Sequence, residues 1–155
     1  MTEEEFLELT KKICLGNKDA EDFLFKVAVL YNTWDDLYDK DNEVSSDLID
    51  DVLSDLAFEF SRNEFYRKHR DVLDAQIFLD WQSWQASNHW QNSTDALKYI
   101  FSCFLKDCFG IDHIVAWLVG GRKHAKQMNM IIRNRSIKQL EEDIYGMVRV
   151  KHKDN

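Results

Sequence analysis

The stretch Phe23–Asp39, FLFKVAVLYNTWDDLYD, decides the fold. Phe23, Val27, Leu30 and Trp34 fall at i, i+4, i+7 and i+11, which is one face at a period of 3.6. No glycine or proline interrupts the stretch, and it is too long for a typical strand. It therefore reads as a helix with one buried face. Its end is unusual. From Asp35 to Glu43 the chain places five carboxylates in nine residues: Asp35, Asp36, Asp39, Asp41 and Glu43. Carboxylates at a helix C-terminus oppose the macrodipole, so helix stability does not explain them.

The rest of the chain reads in the same way. There is no proline and there are only five glycines in 155 residues. A chain built on many β-turns uses both, so this composition predicts an all-α protein with short connections. The spacing predicts a first helix over 3–15, with Thr2 and Glu5 as a capping box and Gly16 as its stop. The second runs from Asn17 or Asp19 to about Tyr38. A third, capped by Ser45 or Ser46, turns Leu48, Ile49, Val52, Leu56, Phe58 and Phe60 inward. It leaves Asp47, Asp50, Asp51 and Asp55 outside. Breaks at 61–65 and 91–95 bound a fourth helix over 67–90. Ser93 caps a fifth over 94–119, with Gly110 as an interruption point. Gly120-Gly121 ends it, since two adjacent glycines are poor in a helix interior. A sixth helix over 122–133 and a short seventh from Ser136 complete a bundle of six or seven helices. Residues 1–146 form the bundle domain and 147–155 a frayed basic tail.

Composition excludes several classes of function. No apolar run approaches the roughly 20 residues needed to span a bilayer. The N-terminus MTEEEF has no secretory character, which points to the cytoplasm. Cys14, Cys103 and Cys108 form no CxxC pair and sit in apolar surroundings, as free buried thiols do. The net charge is −8, unevenly spread. From Gly120 onward nine Lys/Arg face four Asp/Glu, against eleven and twenty-four before it. The acidic bulk repels nucleic acid and anionic membrane. The five histidines show no HxxxH or HExxH spacing for zinc. GxSxG, P-loop and GxGxxG signatures are absent, and Val44 stands where an EF-hand loop beginning at Asp39 needs glycine.

Asp35 and Asp39 are the pair with a chemical use. One helical turn apart, they stand on one face with about 5–6 Å between Cβ atoms, and two like charges there call for a cation. Hard oxygen donors suit Mg²⁺, which keeps water ligands and favours a phosphate as a further one. Gly120 and Gly121 precede Arg122, Lys123, His124 and Lys126, and a basic helix start of this kind is an anion site. These four residues are the expected contacts for a diphosphate held by the metal. Trp81 and Trp84 form an apolar stripe with Ile77, while Gln76, Asp80, Ser83 and Ser87 form a polar one. In a ligand-binding reading, Asp80, Ser83, Ser87, Trp81 and Trp84 line the wall of a cleft.

The segment DDLYD, Asp35–Asp39, resembles the DDxxD motif of class I isoprenoid synthases, including the polyprenyl diphosphate synthases. The resemblance implies an isoprenoid-synthase-like all-α bundle. It also implies that Asp35 and Asp39 ligate Mg²⁺ with Asp36 in support, and that the substrate bears a diphosphate. Of a second metal motif the chain keeps only EEDIY at 141–145, or Asp80 and Ser83 within LDWQSWQAS. A second resemblance covers most of the chain. The aspartate-rich run to DLID, the Asn63-Glu64-Phe65 segment and the late Gly-Gly before basic residues are similar to small proteins of tailed bacteriophages.

Three functions are thus in view. One is Mg²⁺-dependent binding or turnover of a diphosphate-bearing small molecule. Another is a non-catalytic protein that binds a host or phage protein through its acidic helical surface, with a second copy of itself as a further candidate partner. The third is an all-α NTP pyrophosphohydrolase, with Glu5 and Glu8 paired to Asp36 and Asp39 around Mg²⁺.

Overall fold

A computed structural model describes residues 3–40, 42–106 and 110–151. Thr2, Asp41, Cys108 and residues 152–155, each part of an expectation above, lie outside the described residues. Among the described residues every regular element is a helix, and there is no strand. In order they are α1 (Glu3–Cys14), α2 (Lys18–Asp39), α3 (Ser46–Ser54), a π-helical turn (Asp55–Glu59), α4 (Phe60–Arg62), α5 (Glu64–Trp90), α6 (Ala96–Lys106) and α7 (Gly110–Lys151). None is long and apolar enough to cross a membrane.

Local chemistry sets the boundaries. Leu15 and Gly16 take positive φ and turn the chain, and the Asn17 side chain accepts from the Ala20 N–H to start α2. At the other end Lys40 adopts the left-handed conformation and its N–H closes on the Asp36 carbonyl. Ser45 caps α3, accepting from the Leu48 N–H. Asn63 caps α5 through Tyr66 N, so the fourth predicted helix begins earlier than Arg67. Its amide also donates to the Asp19 carbonyl at 2.8 Å, tying that cap to the start of α2. At α6 the cap is Asp95, which accepts from Leu97 N, while Ser93 supports Asp95.

Two departures from the sequence reading have geometric causes. Leu56 and Phe58, expected inside, are 45% and 58% exposed, whereas Val52 and Phe60 are buried as expected. Phe58 stands two residues from Phe60, about 200° round a helix of 3.6 residues per turn, so with Phe60 inside it faces out; both exposed side chains lie in the π turn. Asp55, expected outside, instead pairs with Lys26 of α2 at 3.3 Å. The second departure is α7. Gly121 sits at φ 69°, ψ −172°, a conformation open to glycine. Asp112 and Arg135 lie 3.5 Å apart. Along a straight helix they would be about 35 Å apart at 1.5 Å per residue. The helix therefore folds back at Gly121 into two antiparallel arms, 110–120 and 122–151. The Gly-Gly pair acts as a helix–helix turn, as its sequence implies. No further break precedes Ser136, and the second arm runs to Lys151, so the tail expected from 147 is helical to that point.

The core forms where α1, α2, α5 and α7 meet. Phe23 is fully buried and packs its ring against Phe60, Phe65 and Tyr66 at 5.5–6.1 Å. Ile13, Val27, Leu73, Val115 and Ile132 complete it. Cys14 and Cys103 are free and buried, and burial pushes the Cys14 thiol up to about 12.

Candidate functional site

The C-terminal half of α2 lies against α5 through aromatic contacts. Trp34 stacks on Trp81 at 5.3 Å and tilts against Trp84 at 5.8 Å, and Tyr38 meets Trp84 edge-on at 5.1 Å. These tryptophans pack in the seam between the two helices.

Asp35 and Asp39 do converge on a cation, but the cation is Lys106 at the end of α6. Its ammonium donates to Asp35 Oδ1 at 3.3 Å and to Asp39 Oδ2 at 3.1 Å. Asp35 Oδ1 also accepts from the Trp84 indole N–H at 2.7 Å. Burial alone would lower the Lys106 pKa. The Asp39 hydrogen bond and the Asp35 charge outweigh it, and the pKa is raised. Asp36 turns away and accepts from the Asn42 amide at 2.6 Å. Among the described residues no group of three or more His, Cys, Asp or Glu gathers as a metal-ligand set.

The expected diphosphate contacts lie at the other end of the bundle. His124 is buried, its Nε2 2.9 Å from the Ile13 carbonyl at the end of α1. Its ring covers Gly120, where an added Cβ would come 2.5 Å from the His124 Cβ. Arg122, Lys123 and Lys126 are exposed beside this turn. Since α1 ends where α2 begins, about 18 residues, or roughly 27 Å of helix, separate this group from Asp35. The two expected half-sites do not meet. Glu5 and Glu8 are similarly remote. Phe6 packs on Phe25 at 6.5 Å, three helical turns before Asp36.

Asp80 has a different role from the one expected of it. It accepts from the Gln76 amide at 2.8 Å, the Tyr31 hydroxyl at 3.3 Å and the Ile111 N–H at 3.2 Å. It caps the first arm of α7 from another helix and ties α2, α5 and α7 together. Gly110 lies close under these side chains, and a Cβ there would displace the ends of Gln76 and Asp80. Burial raises the Asp80 pKa, and these hydrogen bonds only partly offset it. Asp112, in the first turn of the same arm, is more enclosed. Burial pushes its carboxyl up to about 6; Arg135 opposes the rise and the Asp80 charge adds to it. Ser83 is half-buried, and Ser87 is fully buried with its hydroxyl unpartnered.

Lys106, Tyr31, Asp112 and Arg135 are absent from the sequence reading of the site. Lys106 has one visible signal, as the lone cation in the apolar run FSCFLK. Tyr31 to Asp80 and Asp112 to Arg135 join positions 49 and 23 residues apart, which periodicity does not connect. No protein family, curated protein or solved structure matches the chain.

Proposed function

We propose that the chain is a protein-binding module that receives a basic, partly apolar surface on the outward side of α3 and the π turn. One observation carries this reading. Asp47, Asp50 and Asp51 are exposed and make no ion pair among the described residues, and Leu53, Leu56 and Phe58 are exposed directly after them. Uncompensated charge steers a partner and sets orientation, while exposed apolar side chains supply the contact that excludes water. π turns are frequent at functional sites, and Leu56 and Phe58 both lie in this one. The resemblance to small bacteriophage proteins makes a bacterial host protein the partner to seek. Free buried thiols fit a reducing cytoplasm.

The test uses a photo-crosslinking residue at Phe58 in the full chain, exposed to a bacterial lysate. A captured protein must be lost in the Asp50→Lys and Leu56→Glu variants and weaken as salt rises. Capture indifferent to those changes refutes the reading.

A second reading keeps an isoprenoid-synthase-like bundle and Mg²⁺. It is supported by the convergence of Asp35 and Asp39 on one cation, a position a metal would take if it displaced Lys106. A diphosphate would then lack the contacts expected from Arg122, Lys123, His124 and Lys126. Titration of the protein with Mg²⁺ and pyrophosphate tests it, and heat or thermal stabilisation lost in Asp35→Asn/Asp39→Asn would favour it over the first reading.

A further inference from the structure

Helix α6 turns its small and polar residues inward and its large apolar ones outward. Ser102 and Cys103 are buried and Lys106 reaches in to Asp35 and Asp39. Leu97, Ile100, Phe101 and Phe104 are 76%, 38%, 48% and 47% exposed. They stand at i, i+3, i+4 and i+7, one continuous stripe of the kind that a helix normally buries. Phe101 and Phe104 stack at 6.4 Å along it, and Trp90 closes its α5 end at 5.8 Å from Phe101.

Size and charge together identify what covers the stripe. At about 200 Å² per aromatic side chain, the two half-exposed phenylalanines leave about 200 Å² of ring in water. Leu97 and Ile100 bring the stripe to roughly 400 Å², the scale at which an apolar patch marks a contact. Between Ala96 and Lys106 there is no carboxylate, although the chain carries a net charge of −8. Copies of such a chain repel one another over much of their surface, and α6 offers a face free of that repulsion. A basic partner would be drawn instead to the carboxylates of α3.

We infer that α6 packs antiparallel against α6 of a second copy across a two-fold axis. Leu97 of each copy then meets Phe104 of the other, with Ile100 and Phe101 nearest the axis. Two stripes bury about 800 Å² as an apolar centre, which with a polar rim reaches the lower end of specific interfaces, and the dimer is expected to dissociate on the order of micromolar. This inference deepens the binding-module reading by adding a second, separate surface to it.

Sedimentation equilibrium of the full chain, from low micromolar to several hundred micromolar, tests the inference. The mass should rise from 18.4 kDa toward twice that value. Leu97→Lys, at the most exposed position, should hold the chain at monomer mass with unchanged helical circular dichroism, and Phe101→Glu should do the same. Phe58→Glu, on the π turn, should leave the dimer intact. A wild-type chain that stays monomeric throughout overturns the inference, as does a dimer that survives Leu97→Lys or is lost in Phe58→Glu. Failure here leaves the α3 capture experiment untouched, because that experiment reads a different surface.

Discussion

The carboxyl of Asp112 gives the sharpest handle on the energetics of this bundle. It is 7% exposed, and its pKa rises from an ordinary 3.8 to about 6, chiefly because burial disfavours the charge. A folded-state value above the unfolded one means that the native protein binds the proton more tightly. Stability from this group is therefore full below pH ~4 and is lost as pH rises through about 6. At ~1.4 kcal/mol per pH unit, the gap corresponds to about 3 kcal/mol. For a domain of this size that is a shift of ~6–12 °C in Tm. Asp80 acts in the same direction. His69 and His113, both lowered by burial, act in the opposite direction near neutrality. The decisive quantity is thus the difference between wild type and Asp112→Asn, followed by thermal melts from pH 4 to pH 8. The amide stays neutral and should melt with the wild type near pH 4, then exceed it by several degrees at pH 7. The Arg135 ion pair is already within this figure, since it holds the carboxyl below the value burial would give it. Parallel curves for the two proteins, or a variant advantage that grows on acidification, would refute the reasoning.

Two further perturbations probe the ends of the site. Lys106→Met leaves Asp35 and Asp39 facing each other without a cation and should cost about 1–3 kcal/mol, the scale of a hydrogen bond to a charged group, by urea denaturation at pH 7. If the pair is a latent metal site, Mg²⁺ should restore much of that loss in Lys106→Met and do little to wild type; restoration absent in the variant removes the Mg²⁺ reading. Gly110→Ala pushes a methyl against the ends of Gln76 and Asp80 and should cost about 1 kcal/mol, the scale of the hydrogen bond they give up in moving aside. Gln76→Ala in the same chain should relieve part of that cost, a coupling that a double-mutant cycle reads directly.

Much of the architecture is legible from local chemistry. The 3.6-residue spacing in α2, the Asn17 and Ser45 caps and the glycine turn at 121 need only neighbouring residues to be read. The inward phase of the segment from Leu48 to Phe60 is not legible past Asp55, because a π turn leaves no signature in apolar spacing. The candidate site divides in the same way. That Asp35 and Asp39 share a face and want a cation follows from their separation along α2. That the cation is a lysine 67 and 71 residues further on depends on how α6 folds back onto α5. The Arg122 group drew a functional reading from charge and glycine alone. Its distance from Asp35 is set by the direction of the first arm of α7, which the sequence does not display.

The cap that Asp80 supplies to Ile111 has a consequence for the order in which the chain assembles. A helix normally carries its own start signal, so it can flicker into existence before it docks. The first arm of α7 takes its anchor from a residue 31 positions earlier, and that residue is itself steadied by Tyr31 of α2. A peptide comprising 110–151 would fray at its beginning, however well its interior held. In the intact chain, the Ile111 amide should exchange with solvent as the first arm of α7 parts from α5. One proton on that nitrogen thus reports how firmly this arm is docked.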